Sequence, residues 1–443
     1  MRTEQEELQA PSATPVAVRA TPTQDGEDLS VAKKKDADRP QLTRWVVLIG
    51  AATFATTMSQ TGILRLPFQN LLKSELNVSR EAMASFFALI GLAWYFKPLA
   101  GILTDSIPLL GTRRRHYLIL SAVCAAAFYF LAGMASHTYV ALVIVLVAAN
   151  AMLVVGSTVA GGVTVEAGQR YGATGRLSSA LYVVANGCVL LGGPLGGFLA
   201  ARAFGFTAAT CALISLSVVP FAWWFVREPV AKQKGNETWS KAKAQFLCLI
   251  RSRTMWTAAG LLFLVYVAPG FLTPLYYLQT DTLKLSQQFI GTLILLGGLF
   301  GIGGSFLYAV LCPKIPLRML LYLSVTASAL GSLGYLFYRS AVAAAAVESE
   351  NGLIAAFVTL ALMDLAARAS PHGSEALGFA LMMSVLNVAQ SLSDVLGSWL
   401  MDHHHVSFSK LVWLNAGTTA LVLFVIPLLP RALIERRDTY SPD

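Results

Sequence analysis

Charge is scarce in this chain. Only 13% of its 443 residues are charged, where a soluble domain carries about 25%. That shortage excludes an ordinary soluble enzyme and a chain that is disordered throughout. Cysteine is also scarce. Cys124, Cys188, Cys211, Cys248 and Cys312 are odd in number and form no C-x-x-C pair, which argues against a disulfide framework or a zinc site. No Walker loop, nucleophile-elbow or zinc-protease motif occurs, so ATP-driven pumping and hydrolysis lack support. No enzyme activity, cofactor or metal is expected. Residues 1–42 have no continuous apolar stretch and do not read as a secretory signal. Their acids, including Glu4, Glu6, Glu7, Asp25, Glu27 and Asp28, argue against a transit peptide. Rich in Pro, Ala, Thr and charge, this stretch reads as a disordered cytoplasmic tail.

What remains is apolar. Hydrophobic residues make up 55% of the chain, and its mean hydropathy is +0.60. At roughly 20 residues per span plus short loops, about 12 membrane helices fit after the tail. The apolar runs fall at 45–64, 82–103, 117–133, 138–165, 177–200, 206–226, 255–278, 289–311, 317–337, 353–369, 376–400 and 411–429. Their length without alternating polarity predicts helices rather than a barrel. The longest connection, 227–253, is basic and divides the runs six and six. The expected fold is all-α, a 12-helix transmembrane bundle with pseudo-symmetric six-helix halves over 43–226 and 254–430, and a second tail over 431–443.

The net charge of +9 is explained by basic loops on one membrane side rather than by nucleic acid. That side collects Lys33, Lys34, Lys35, Arg113, Arg114, Arg115, Arg170, Arg176, Lys314, Arg318, Arg368 and the central loop. The other has only Arg65, Lys73, Arg80, Arg202, Lys284, Arg339 and Lys410. The bias places both termini in the cytoplasm, with the bundle in a plasma membrane or bacterial inner membrane. A monomer in the lipid bilayer is expected, with a small-molecule substrate.

The strongest local signal is residues 97–117. Gly101 permits close helix approach, Asp105 sits at a membrane edge, Pro108 and Gly111 form a turn, and Arg113, Arg114 and Arg115 close the loop. Opposite charges there can latch two helix bundles and release them during alternating access. The arginines alone would also satisfy the positive-inside rule. An echo supports internal duplication. Glu166 with Arg170 ends the fourth run, and Asp364 with Arg368 ends the tenth. Each is an acid followed four residues on by an arginine, which suits a helical ion pair and a latch role.

Polar groups at lipid depth are candidates for substrate or proton binding. They are Gln60, Arg65, Lys97, Asn150, Asn186, Tyr276, Tyr277, Asn387, Gln390 and Asp394. Residues 387, 390, 391 and 394 share one helix face, and Asp394 reads either as a proton acceptor or as an interhelical hydrogen-bonding group. Lys97 either snorkels to the interface or attracts an anion. Arg65, at the end of the first run, is an edge anchor or a first contact for a carboxylate. Tyr276 and Tyr277, with Tyr266, either stack on a planar ring or sit as interfacial aromatics.

The 97–117 string resembles the loop-2–3 motif of the major facilitator superfamily, and in its longer spacing the folate–biopterin transporter family. The matching positions are Lys97, Pro98, Leu99, Gly101, Asp105, Ser106, Pro108, Gly111, Arg113, Arg114 and Tyr117. Pro371 to Glu375, with Phe379 to Leu381 and Asn387, is similar to the same family near its eleventh helix. The resemblance implies secondary active transport of a small anionic solute, a folate or pterin, by proton symport and alternating access. One departure stands out. That family commonly carries aspartates in its fourth helix, whereas residues 155–165 hold none. Muropeptide, acyl-CoA and drug transporters of the same fold are the nearest alternatives. A non-transporting receptor or sensor is the alternative of another class, disfavoured by short loops and polar tails.

Overall fold

A computed structural model describes residues 43–112, 114–134, 138–171, 174–226, 244, 246–370 and 375–430. The predicted tails at 1–42 and 431–443, and most of the predicted central loop, lie outside the described residues. Among the described residues, eleven helices are long and apolar enough to cross a membrane. The first is α1 (Thr43–Ser74), with a π turn at Met58–Gly62. The second predicted run is instead three short helices in succession, α2 (Arg80–Ile90), α3 (Leu92–Tyr95) and α4 (Lys97–Ser106). The breaks fall at Gly91, a weak helix former, and at Phe96, just ahead of Pro98, which has no amide hydrogen to donate.

Next come α5 (Arg115–Met134), α6 (Tyr139–Tyr171), α7 (Thr174–Ala200), α8 (Phe204–Leu216) and α9 (Val218–Phe225). The predicted seventh run is also broken, into α10 (Arg253–Val267) and α11 (Leu272–Tyr277), followed by a π turn at Leu278–Thr282. The remainder is α12 (Gln287–Leu311), α13 (Leu317–Gly334), α14 (Ala341–Ala369), α15 (Glu375–His403) and α16 (Phe408–Leu421).

Two helices run past their predicted ends. The first run was expected to stop at 64 and the tenth to start at 353. The helices instead reach Ser74 and begin at Ala341. In both places polar side chains interrupt the apolar run, Arg65 in one and Glu348 to Asn351 in the other. Hydropathy falls there, but helical backbone bonding continues because protein neighbours take up the polar groups.

Buried side chains gather mainly into two cores. One is built chiefly from residues of α1 to α8 and centres on Phe68, Met83, Phe86 and Tyr129. The other is built from residues 249 to 429 and includes Leu261, Leu321, Ala361 and Met382. Between these groups the main helix contacts pair α7 with α12 and α2 with α15. The first pair meets backbone to backbone. A Cβ on Gly291 would lie 2.3 Å from the Gly193 carbonyl oxygen. One on Gly197 would lie 2.6 Å from that of Gln287. Only glycine permits such an approach, and it lets dispersion contacts replace the hydrophobic drive that lipid cannot supply.

This packing predicts a contrast along one helix. Gly291→Ala should lower the heat-unfolding midpoint in detergent, an overpacking loss of about 1–3 kcal/mol. Gly303→Ala, where no atom lies within 4 Å of the added Cβ, should raise it slightly through better helix propensity.

Candidate functional site

The site is built on the breaks in the helices. At 268–271 the backbone leaves the helical path, and Pro269 offers no amide hydrogen. The freed groups find partners on neighbouring helices. The Gly270 amide donates to the Ser393 carbonyl at 2.9 Å. The Ser393 hydroxyl donates to the Ala268 carbonyl, and the Asn415 amide donates to that of Pro269 at 3.0 Å. A Cβ on Gly397 would sit 1.7 Å from the Gly270 carbonyl oxygen, so α15 must present glycine there.

Asp394 completes the junction. Its carboxylate accepts the amide and the hydroxyl of Thr273, each at 2.7 Å. These bonds sit at the start of α11, where a helix offers free amides. Across the interface, Arg65 of α1 reaches the same carboxylate at 3.5 Å and lies over the Phe87 ring at 4.6 Å. Arg65 stands within α1 rather than at its end. The helix continues nine residues beyond it to Ser74, so the pair lies about 14 Å inside that end of the helix.

A further turn along α15, Ser391 accepts the Tyr95 hydroxyl at 2.6 Å. The predicted face of 387, 390, 391 and 394 thus meets α1 and α3. Asn387 is half-buried and Gln390 exposed on that face. Within the first half the Lys97 ammonium donates to the Ser157 hydroxyl at 3.1 Å and lies 5.1 Å from the Trp94 ring centre. No carboxylate pairs with it among the described residues. The Trp94 ring nitrogen donates to Asn150 at 3.1 Å, and Asn150 donates in turn to the Leu146 carbonyl. Asn150 is buried and its bonds are spent within its own half. Gln60 is half-buried beside the π turn, and Asn186 is exposed on α7.

Tyr276 and Tyr277 are placed elsewhere. Both are buried. The Tyr276 hydroxyl accepts from Gln287 at 3.0 Å, and that of Tyr277 donates to the Val78 carbonyl. They tie the helices together at the Arg80 end. Around them Lys73 bonds Thr280 and Asp281. Arg80 pairs with Asp402 at 3.0 Å, and His403 with Glu81 at 2.6 Å. Asp402 also accepts the Glu81 amide at 2.9 Å, capping α2.

The predicted latch lies at the other end. Asp105, Arg113, Glu166 and Arg170 fall outside the residues whose side chains are described. Arg114 has its guanidinium 2.6 Å from where a Cβ on Gly162 of α6 would stand, and Arg115 lies 4.0 Å from the Trp223 ring centre. Both contacts stay within the first half. Asp364 accepts Arg368 at 2.7 and 2.9 Å, as the four-residue spacing predicts, and also accepts the Tyr308 hydroxyl at 3.0 Å. These three bonds lie within the second half. Among the described residues, the ion pairs between the halves include Arg65 to Asp394, Lys73 to Asp281, Arg80 to Asp402 and His403 to Glu81, and these four stand toward the opposite end. Trp94, Tyr95, Ser157 and Thr273 escaped the sequence reading because nothing distinguishes them there from packing residues.

A small, half-open pocket in the first half is lined by Thr56, Ser121, Gly156 and Ser215 among others. Its hydroxyls donate to carbonyls of their own helices. They leave no unspent donor for a solute.

The sequence profile of the BT1 family matches residues 59–439. The chain belongs to the BT1 family. Among curated relatives it is 26% identical over 388 residues to a folate-biopterin transporter of Synechocystis, covering 83% of this chain and 77% of the relative. It is 23% identical to the probable folate-biopterin transporter 2 of Arabidopsis thaliana, with the same coverage of each chain. Among solved structures, the nucleoside transporter NupG superposes with a TM-score of 0.68 at 13% identity, over 87% of this chain and 98% of that one. A D-xylose-proton symporter superposes with a TM-score of 0.65 at 15% identity, over 88% and 98%. These likenesses show the fold, that of major facilitator transporters. This BT1-family protein is an integral, multi-pass membrane transporter of a small molecule, and its relatives are transporters rather than enzymes.

The junction yields an asymmetric pair of mutants. Asp394 is 8% exposed at its side chain and Arg65 is 36% exposed. Asp394→Ala leaves the Thr273 amide without an acceptor and should cost about 1–3 kcal/mol in heat stability. Arg65→Ala should cost less, about 0–1 kcal/mol, because a partly exposed pair is screened. Equal losses in the two variants would contradict the geometry.

Proposed function

We propose that this transporter carries a folate or pterin as an anion, in symport with a proton, by alternating access between its two halves. The observation that carries the reading is Lys97. It is a cation at lipid depth whose described partners are one hydroxyl and one aromatic ring. Arg65 adds a second source of positive potential, with its Nε buried and bonded to nothing described. Such a surplus suits an anionic solute, since an intramembrane cation otherwise demands an acid. Trp94 and Tyr95 beside Lys97 offer faces for a planar ring. The curated relatives named folate-biopterin transporters support the substrate class.

The basic-residue bias supports cytoplasmic termini in a plasma membrane or bacterial inner membrane. On that reading the end carrying Lys73, Arg80 and Asp402 faces outward, and its ties close the path on that side. The 1–42 tail, the central loop and the 431–443 tail then lie in the cytoplasm and the protein acts as a monomer.

Purified protein in proteoliposomes should take up labelled folate or biopterin faster under an inward proton gradient. Lys97→Gln should weaken folate binding about tenfold or more, the loss of a charged hydrogen bond worth about 1.5–3 kcal/mol. Lys97→Arg should retain most of it. Wild-type affinity in Lys97→Gln would remove the anion reading. Absence of uptake by folded, inserted protein would turn the search to muropeptides and acyl-CoA.

A further inference from the structure

The two arginine-paired acids of the spans are accounted for. Asp364 has Arg368 and Asp394 has Arg65. Glu348 is different. It lies seven residues into α14, about 10 Å from the start of that helix. The predicted tenth run began after it, so the sequence reading passed over it. Its carboxylate accepts the Tyr338 hydroxyl at 3.2 Å. Tyr335, stacked on Tyr338 with ring centres 5.6 Å apart, also reaches it. From α12 it meets Gly297, which has no side chain and stands near the Glu348 carbonyl. Glu350, the next acid, points elsewhere, toward Gly331 and Gly334 of α13, and is exposed. Arg339 and Lys284 are exposed on loops. No Lys, Arg or His pairs with Glu348 among the described residues.

We propose that Glu348 is the site at which this transporter binds its proton. The inference rests on the reading of the chain as a proton-coupled carrier, and it transfers that role from Asp394, whose three described donors include a guanidinium. An intramembrane carboxylate that no cation neutralises is neutralised by a proton. The step is an O–H bond formed at a Glu348 carboxylate oxygen and later broken, with no other bond changed. Its readout is already wired. With Glu348 charged, Tyr338 donates to it and accepts the Gln279 amide at 2.7 Å. With Glu348 protonated, its carbonyl oxygen accepts more weakly than a carboxylate, and its new O–H competes with the Gln279 amide for the Tyr338 oxygen. Gln279 sits on the π turn whose next residues, Thr280 and Asp281, hold Lys73 of the first half. Proton binding on α14 therefore acts on a tie between the halves through one tyrosine and one glutamine.

The test does not need the substrate. Infrared difference spectra of reconstituted wild-type protein between acid and alkaline buffer should show a protonated-carboxyl C=O band. Glu348→Gln, which keeps shape and an oxygen acceptor for Tyr338, should lose that band. Asp394→Asn should keep it. Tyr338→Phe should keep the band, because it removes a hydrogen-bond donor and not the carboxyl group. A band that persists in Glu348→Gln, or that disappears in Asp394→Asn, overturns the assignment. In proteoliposomes with labelled biopterin, Glu348→Gln should lose the acceleration by an inward proton gradient. If wild-type protein moves no biopterin or folate, the substrate reading fails, while the infrared result still decides Glu348.

Discussion

A helix that breaks inside lipid exposes donors and acceptors that hydrocarbon cannot satisfy. The break at 268–271 is therefore the constraint on which the arrangement of the site depends. Its repair is supplied by α15 and α16, through Ser393, Asp394 and Asn415. Gly397 allows the approach that those bonds need. Because Asp394 is held by Thr273, it is fixed where Arg65 of the first half can reach it. A local backbone requirement in the second half thus positions the charge that meets the first. The break is also what lets α11 tilt its tyrosines toward α2 and α12 rather than into the interface between α1 and α15.

Charges along the interface are sorted by depth. Toward the Arg80 end, acids and cations are matched pair by pair. Deeper, beside Trp94 and Tyr95, Lys97 has no acid among its described partners. A matched set makes a closure, since each pair neutralises the other before any ligand arrives. On the proposed reading, an unmatched cation is the binding site, since an anion would repay its desolvation. The same sorting separates Asp394 from Glu348. One is an acid already satisfied by a guanidinium and two further donors, the other an acid satisfied only by neutral hydroxyls.

Much of this was legible in the sequence, for physical reasons. Apolar runs of span length force helices, so the bundle and its helix order followed from hydropathy. The four-residue spacing of Asp364 and Arg368 specified an ion pair, and the structure contains it. Of the shared face of 387, 390, 391 and 394, Ser391 and Asp394 meet the first half. What hydropathy misreads is the polar residue inside a helix. Arg65 looked like the end of a span and Glu348 to Asn351 looked like a loop, because a window average cannot tell water from an internal partner. Tyr276 and Tyr277 read as either ring-stacking or interfacial aromatics, because the burial they have beyond the break at 268–271 is tertiary. Their partners, Gln287 and Val78, are close in space through tertiary packing that no spacing rule encodes.

Alternating access, on the proposed reading, asks for contacts of two kinds, and the interface has both. The pairing of α7 with α12 is glycine against backbone, with Gly193 and Gly291 in direct approach. Such a contact loses little when one helix pivots on the other, because no side chains must disengage. The ties near Arg80 are of the second kind. Asp281 is 52% exposed and His403 59% exposed, and ion pairs so exposed are worth roughly 0–1 kcal/mol each. Several together hold one end shut, yet each breaks singly as the halves part. A tie worth so little also responds to small inputs. A proton that rearranges the bonds of Tyr338 and Gln279 need supply only about 1 kcal/mol to change which state prevails by severalfold. The weakness of these contacts is thus what allows the half-buried Glu348 carboxylate to govern them.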